Sequence, residues 1–142
     1  MKNNLSKYLF DTSYSDKSKV QQFYRNILKV AKVYKRVSAY FSTGVFNYLS
    51  KGIDEFINND GYMQLILSPE IDSEVVEEIN KGYKLKTFNF KQFNKLSDTV
   101  ESICKQENIS LFAYLIAVGK LDIKIVLKKQ GILHHKFGCV TD

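Results

Sequence analysis

The sequence predicts an α/β fold, a mixed β-sheet flanked by helices on both faces, and three observations predict it. Short runs rich in β-branched, aliphatic and aromatic residues, at 36–41, 62–67, 122–127 and 132–140, alternate with segments whose apolar residues recur at helical spacing. Turn-forming residues such as Ser42-Thr43-Gly44 and Asn59-Asp60-Gly61 punctuate the boundaries. With 142 residues, 44% of them hydrophobic, the chain can bury one core, and it shows neither an internal repeat nor a low-complexity linker. One domain is expected over residues 1–142, a basic N-terminal helix (1–35) joined to an α/β core (36–142).

The elements follow in order. Val20, Phe23, Tyr24, Ile27, Leu28, Ala31 and Tyr34 lie on one side of a first helix. A strand from Arg36 to Phe41 leads to a second helix, capped by Ser42 or Thr43, which presents Phe46, Leu49, Ile53, Phe56 and Ile57 on one face and runs to about Asn58. Tyr62 to Leu67 reads as a buried strand. Pro69 precedes an acidic helix from Ser73 to about Lys84. Residues 85–108 are largely polar, and a helix is expected there from Leu96 to Gln106. A helix from Ser110 to Gly119 leads into a strand, Asp122 to Leu127, in which Ile123, Ile125 and Leu127 alternate with Asp122, Lys124 and Val126. Lys128 to Gly131 is short enough to return the strand Ile132 to Val140 antiparallel to its predecessor. The chain given stops directly after that strand, whose place should be central, so the expected context is the N-terminal part of a longer protein.

Composition narrows the setting. The longest apolar run, Leu111 to Val118, is about half of what spans a bilayer, which excludes a membrane-spanning helix. Cys104 and Cys139 lie far apart and form no motif, and the N-terminus has no signal-peptide core, so a reducing cytoplasm is expected. The net charge of +6 is unevenly placed: residues 1–36 hold nine Lys or Arg against Asp11 and Asp16, and the rest of the chain is close to neutral. Lys19, Arg25, Lys29, Lys32 and Arg36 fall away from the apolar side of the first helix. Such a stripe is either a solvated face or the contact surface for a nucleic-acid backbone.

The chemistry lies near the C-terminus. In Leu133-His134-His135-Lys136-Phe137-Gly138-Cys139, an extended chain puts His134 and Lys136 on one face and Leu133, His135 and Phe137 on the other. An imidazole can attack phosphorus, and a neighbouring ammonium can neutralise the charge that develops on the non-bridging oxygens, with no metal needed. His135 is a packing residue in this reading, because adjacent strand residues diverge and no Cys or His cluster has ligand spacing.

His134-x-Lys136 followed by Asp142 resembles the HKD motif of the phospholipase D superfamily. The likeness extends to Arg36-Val37-Ser38-Ala39-Tyr40-Phe41-Ser42-Thr43-Gly44 and to Leu121-Asp122-Ile123-Lys124-Ile125-Val126-Leu127, and over roughly Arg36 to Asp142 the chain is similar to the module found at the N-terminus of bacterial helicase and restriction-type proteins. Five residues separate Lys136 from Asp142 where the family has four, and strand parity then puts Asp142 on the face of His134 and Lys136. The resemblance implies half of a two-motif unit, completed by a homodimer or by a second HKD motif in a longer chain. It implies a metal-independent phosphodiesterase or nuclease without a cofactor, with His134 as nucleophile or general acid and Lys136 holding the phosphate. The motif itself does not choose among phospholipids, DNA and other phosphodiesters; the basic helix and the composition point to nucleic acid, DNA foremost, and the resemblance implies a downstream helicase domain. The alternatives are a non-catalytic module that binds nucleic acid and, less favoured by these residues, a protein-interaction or oligomerisation domain.

Overall fold

The computed structural model describes Leu5 and residues 16–87, 99–127 and 136–142. Among the described residues five helices and four strands follow one another: α1 (Lys17–Val30), β1 (Val33–Ser38), a 3-10 turn (Thr43–Val45), α2 (Phe46–Asn58), β2 (Tyr62–Leu67), α3 (Ser73–Thr87), α4 (Val100–Gln106), α5 (Leu111–Ala117), β3 (Leu121–Ile125) and β4 (Phe137–Thr141). The sheet has the order β3-β2-β1-β4, with β1, β2 and β3 parallel and β4 antiparallel to β1. It is therefore a mixed sheet in an α/β arrangement.

Local chemistry sets most boundaries. Asp16 accepts from the backbone N–H of Ser18 at the start of α1, Thr99 from that of Ser102 at the start of α4, and Ser110 from that of Ala113 at the start of α5. Ser42, one of the expected caps of the second helix, makes no such bond, because the chain first passes through a 3-10 turn. At the other ends Asp60, Asn108 and Gly119 take positive φ, the left-handed geometry that turns a chain out of a helix.

Two expected boundaries move. The first helix ends at Val30, with Ala31 already extended, and Tyr34 belongs to β1 rather than to the apolar side of α1. Val33 and Tyr34 are β-branched and aromatic, and pairing with Tyr62 and Met63 outweighs continuation of the helix. The helix expected from Leu96 begins at Val100, since Thr99 is its extended capping residue.

The main core lies on one face of the sheet. Tyr34 and Ser38 of β1, Met63, Leu65 and Leu67 of β2, and Leu121 of β3 share it, and all are buried. Over them α1 packs on α2 and α3 on α5. Phe41, Phe46 and Phe112 tie the layers together, with ring centroids 5.0–6.2 Å apart. On the reverse face Lys35, Tyr62, Lys124 and Cys139 are exposed and Val37 is buried.

The position of β4 is also a correction. It pairs with β1 and lies on the opposite edge of the sheet from β3, not beside it, and among the described residues it is an edge strand rather than a central one. On the outer side of β3 the Tyr83 hydroxyl accepts from the Ile123 N–H and donates to Asp122, so α3 occupies that edge. The expected turn at 128–131 and the first residues of the expected last strand, 132–135, lie outside the described residues.

Candidate functional site

A pocket of about 260 Å³ lies on the core face of the sheet, over Tyr34 and Arg36 of β1 and the paired residues of β4. Phe23, Tyr24 and Ile27 of α1 form one wall, Tyr34 and Arg36 of β1 the floor, and Lys136, Gly138 and Val140 the opposite wall. The register explains the space: Gly138 stands opposite Arg36 and Val140 opposite Tyr34, so the position over Arg36 has no side chain. A Cβ at Gly138 would come within 3.5 Å of the Tyr34 ring.

The polar groups of the pocket hold one another. Arg36 Nη1 donates to the Tyr24 hydroxyl at 3.0 Å, and the guanidinium also hydrogen-bonds Tyr34. Burial pushes the Tyr34 phenol up to about 12, reinforced by Tyr24 and opposed by the charge of Arg36. Burial alone would lower Arg36, but the two phenolic oxygens more than offset it, and its value stands above the ordinary guanidinium range. The floor is thus a fixed cation hydrogen-bonded to two phenolic oxygens.

Lys136 stands at the mouth, its Nζ 5.3 Å from the centroid of the Tyr40 ring. The buried Ser38 fixes that ring's backbone by donating to the Tyr40 carbonyl at 2.6 Å. The start of α1 lies at the same end of the sheet, since Lys17 Nζ is 5.8 Å from the ring of Tyr48 in the first turn of α2, which follows β1. The exposed Lys19 sits in that first turn of α1.

The structure thus brings together two of the residues singled out in the sequence, Arg36 and Lys136. Asp142 is not with them. Pairing of Phe137 with Val37 and of Thr141 with Val33 puts Lys136 at one end of β4 and Asp142 at the other, about 20 Å away at the rise of a strand. There Asp142 Oδ2 accepts from the Leu5 N–H at 2.6 Å. His134 lies outside the described residues, as does His135.

The remaining basic residues do not form one stripe. Arg25 is half-buried against α2, its Cα and carbonyl close to Gly52, and its Nε has no partner among the described residues. The Lys29 carbonyl accepts from Asn59 Nδ2, and Lys32 Nζ donates to the Asn59 carbonyl at the end of α2. Tyr24, Tyr34 and Tyr40 were missed in the sequence. Had β1 been started at Val33, the strand spacing of Tyr34, Arg36 and Ser38 would have put the first two on one face.

Among the described residues no three His, Cys, Asp or Glu side chains are grouped to hold a metal, and no helix is long and apolar enough to cross a membrane. No protein-family model, curated protein or solved structure matches the chain.

Proposed function

We propose that the protein is a metal-independent phosphodiesterase or nuclease module of the phospholipase D type, acting on nucleic acid in the cytoplasm. One observation supports this reading above the others: Arg36 and Lys136, far apart in sequence, line one pocket on the core face of the sheet. Two cations at one pocket suit a phosphodiester, whose non-bridging oxygens gain charge at the transition state.

In this reading the chain places His134 two residues before Lys136. Its imidazole attacks phosphorus, a P–N bond forms as the P–O bond to the leaving nucleoside breaks, and the leaving oxygen takes a proton from the histidine of a second motif. Water then cleaves the phosphohistidine. The same residues admit the opposite assignment, with His134 as the acid. The second motif comes from an identical subunit or from a longer chain, where a helicase domain would follow.

The test is hydrolysis of a chromogenic phosphodiester and of single- and double-stranded DNA in excess EDTA. Turnover should persist in EDTA and disappear in His134→Ala, while Lys136→Ala should lose at least a hundredfold. Activity of His134→Ala within about tenfold of the parent would remove the catalytic assignment.

A second reading, a non-catalytic nucleic-acid-binding module, is favoured by the place of Asp142. It lies at the far end of β4 from Lys136 and is engaged by Leu5. Binding without turnover, in the full chain with its second motif present, would decide for it.

A further inference from the structure

One side of β4 pairs with β1, and among the described residues nothing pairs with the other. The carbonyls of Lys32 and Ser38 accept from the N–H groups of Tyr62 and Ser68, so the even-numbered residues of β1 turn their backbone toward β2 and the odd-numbered ones toward β4. Cys139, opposite Lys35, therefore directs its backbone groups to β1, while Gly138 and Val140 point theirs outward. Natural sheet edges are blunted by charge, proline or a bulge. Phe137 to Thr141 has no charge and no proline, and its register with β1 is unbroken. Phe137 is moreover 60% exposed. Such an edge is built to take another strand.

We propose that β4 pairs antiparallel with β4 of a second copy about a two-fold axis at Cys139, joining two sheets into one and bringing Asp142 of the partner subunit beside Lys136. Gly138 then faces Val140 of the partner subunit and exchanges both outward hydrogen bonds with it, and the two Cys139 residues meet in the open pair between them. Charge selects this register. A two-fold at Gly138 or at Val140 would satisfy the same backbone groups, but only the one at Cys139 sets position 136 opposite position 142, an ammonium against a carboxylate, twice by symmetry. The faces agree, since Lys136, Gly138 and Val140 line the pocket on the core face and strand alternation adds Asp142 to them. On the reverse face Phe137 comes opposite Thr141 of the partner subunit, which covers part of its ring. Within one chain Lys136 and Asp142 stand at opposite ends of β4. Across the axis that separation disappears, and each pocket gains a carboxylate that its own strand carries away from it.

The pairing stands on the sheet edge alone; only the place it gives Asp142 in a phosphodiester site rests on the function proposed above. The experiment is sedimentation equilibrium of the chain over a concentration series, with a thermal melt of each variant to establish that it is folded. Val140→Pro removes an N–H that faces outward and leaves the ladder to β1 intact. The parent should sediment as two 16.4 kDa chains and Val140→Pro as one. Lys136→Glu sets like charges opposite each other at two places and should weaken the dimer about tenfold, and adding Asp142→Lys should return it to within about threefold of the parent. Independently, copper-phenanthroline oxidation of Cys104→Ala should cross-link two chains through Cys139, because an open antiparallel pair holds its Cα atoms about 4.5 Å apart, within reach of a disulfide.

A parent that is monomeric at every concentration would overturn the proposal. So would a dimer that persists in folded Val140→Pro, one whose strength ignores the exchange of charges, or the absence of the Cys139 cross-link. A dimer with the expected responses but no phosphodiester turnover establishes the pairing and removes catalysis. EDTA-resistant turnover by a monomer, lost in His134→Ala, leaves catalysis established and removes the pairing.

Discussion

Tyr34 sets the behaviour of the pocket floor at alkaline pH. Its folded value, pushed up to about 12 by burial, lies above the ordinary phenolic 10. Below pH 10 the phenol is protonated in both folded and unfolded chains and contributes no pH dependence. Between about pH 10 and 12 the unfolded chain loses the proton while the folded one retains it, so stability falls as pH rises through the folded value, by roughly 2 to 3 kcal/mol in the limit. Tyr34→Phe should remove that component, and the difference is read from urea midpoints of parent and variant at pH 9 and pH 11.5. The two cysteines differ in the same manner. Burial, with the nearby charge of Asp54, pushes the Cys104 thiol up to about 11, whereas Cys139 is exposed on β4. At pH 8 iodoacetamide should alkylate Cys139 in the folded protein and reach Cys104 only after unfolding, as mass spectrometry of the two peptides would record. Comparable labelling of both in the native state would contradict the burial that raises the Cys104 thiol.

The two helix pairs meet at glycines, and the distances rank them. In the α3–α5 pair a Cβ at Gly82 would lie 2.7 Å from the Ile116 Cβ and 2.8 Å from the Ala113 carbonyl, contacts that backbone cannot relieve cheaply. In the α1–α2 pair a Cβ at Gly52 would lie 3.1 Å from both the Arg25 carbonyl and the Leu28 Cβ, which a small shift can accommodate. Alanine gains roughly 0.5–1 kcal/mol of helix propensity at either place. Against overpacking of about 1–3 kcal/mol, Gly82→Ala should destabilise by about 1–2 kcal/mol and Gly52→Ala by much less. Urea denaturation of the two variants checks the ranking. At this scale the sequence was most readable where one period was unambiguous. Tyr62 to Leu67 has an uninterrupted strand pattern, and Phe46, Leu49, Ile53 and Phe56 a clean helical one, and both elements stand where that reading puts them. The segment around Tyr34 was misread because helical spacing from Ala31 and strand spacing to Arg36 both fit it, and only the pairing with β2 decides. The partners of Arg36 were hidden with it. Strand order was beyond local reading altogether, since the preference of β4 for the β1 edge depends on Tyr83, far away in sequence, engaging the edge of β3.

Across the whole molecule the shared core makes the domain depend on a few rings. Phe112 of α5 touches Phe46 of α2 at 5.0 Å and Phe41 of the loop after β1 at 5.5 Å between centroids, so it joins the α1–α2 pair to the α3–α5 pair. Both helix pairs rest on the same sheet face, and that ring fills the space between them. Two consequences follow from the geometry. The halves should unfold together, because neither can lose Phe112 without exposing the buried side of the other. Truncation should also be severe, because Phe112 is 1% exposed and enclosed by aromatic and backbone surfaces that close poorly around a void. Phe112→Ala should therefore cost about 3–5 kcal/mol, a large share of the 5–15 kcal/mol that holds a domain of this kind. Urea unfolding followed by far-ultraviolet circular dichroism and by tyrosine fluorescence should give a single shared midpoint in the parent. In the variant the midpoint should move to lower urea with the two probes still coincident. Separate midpoints in the parent would mean that the two helix pairs are independent cooperative units, and that Phe112 lies between them without coupling them.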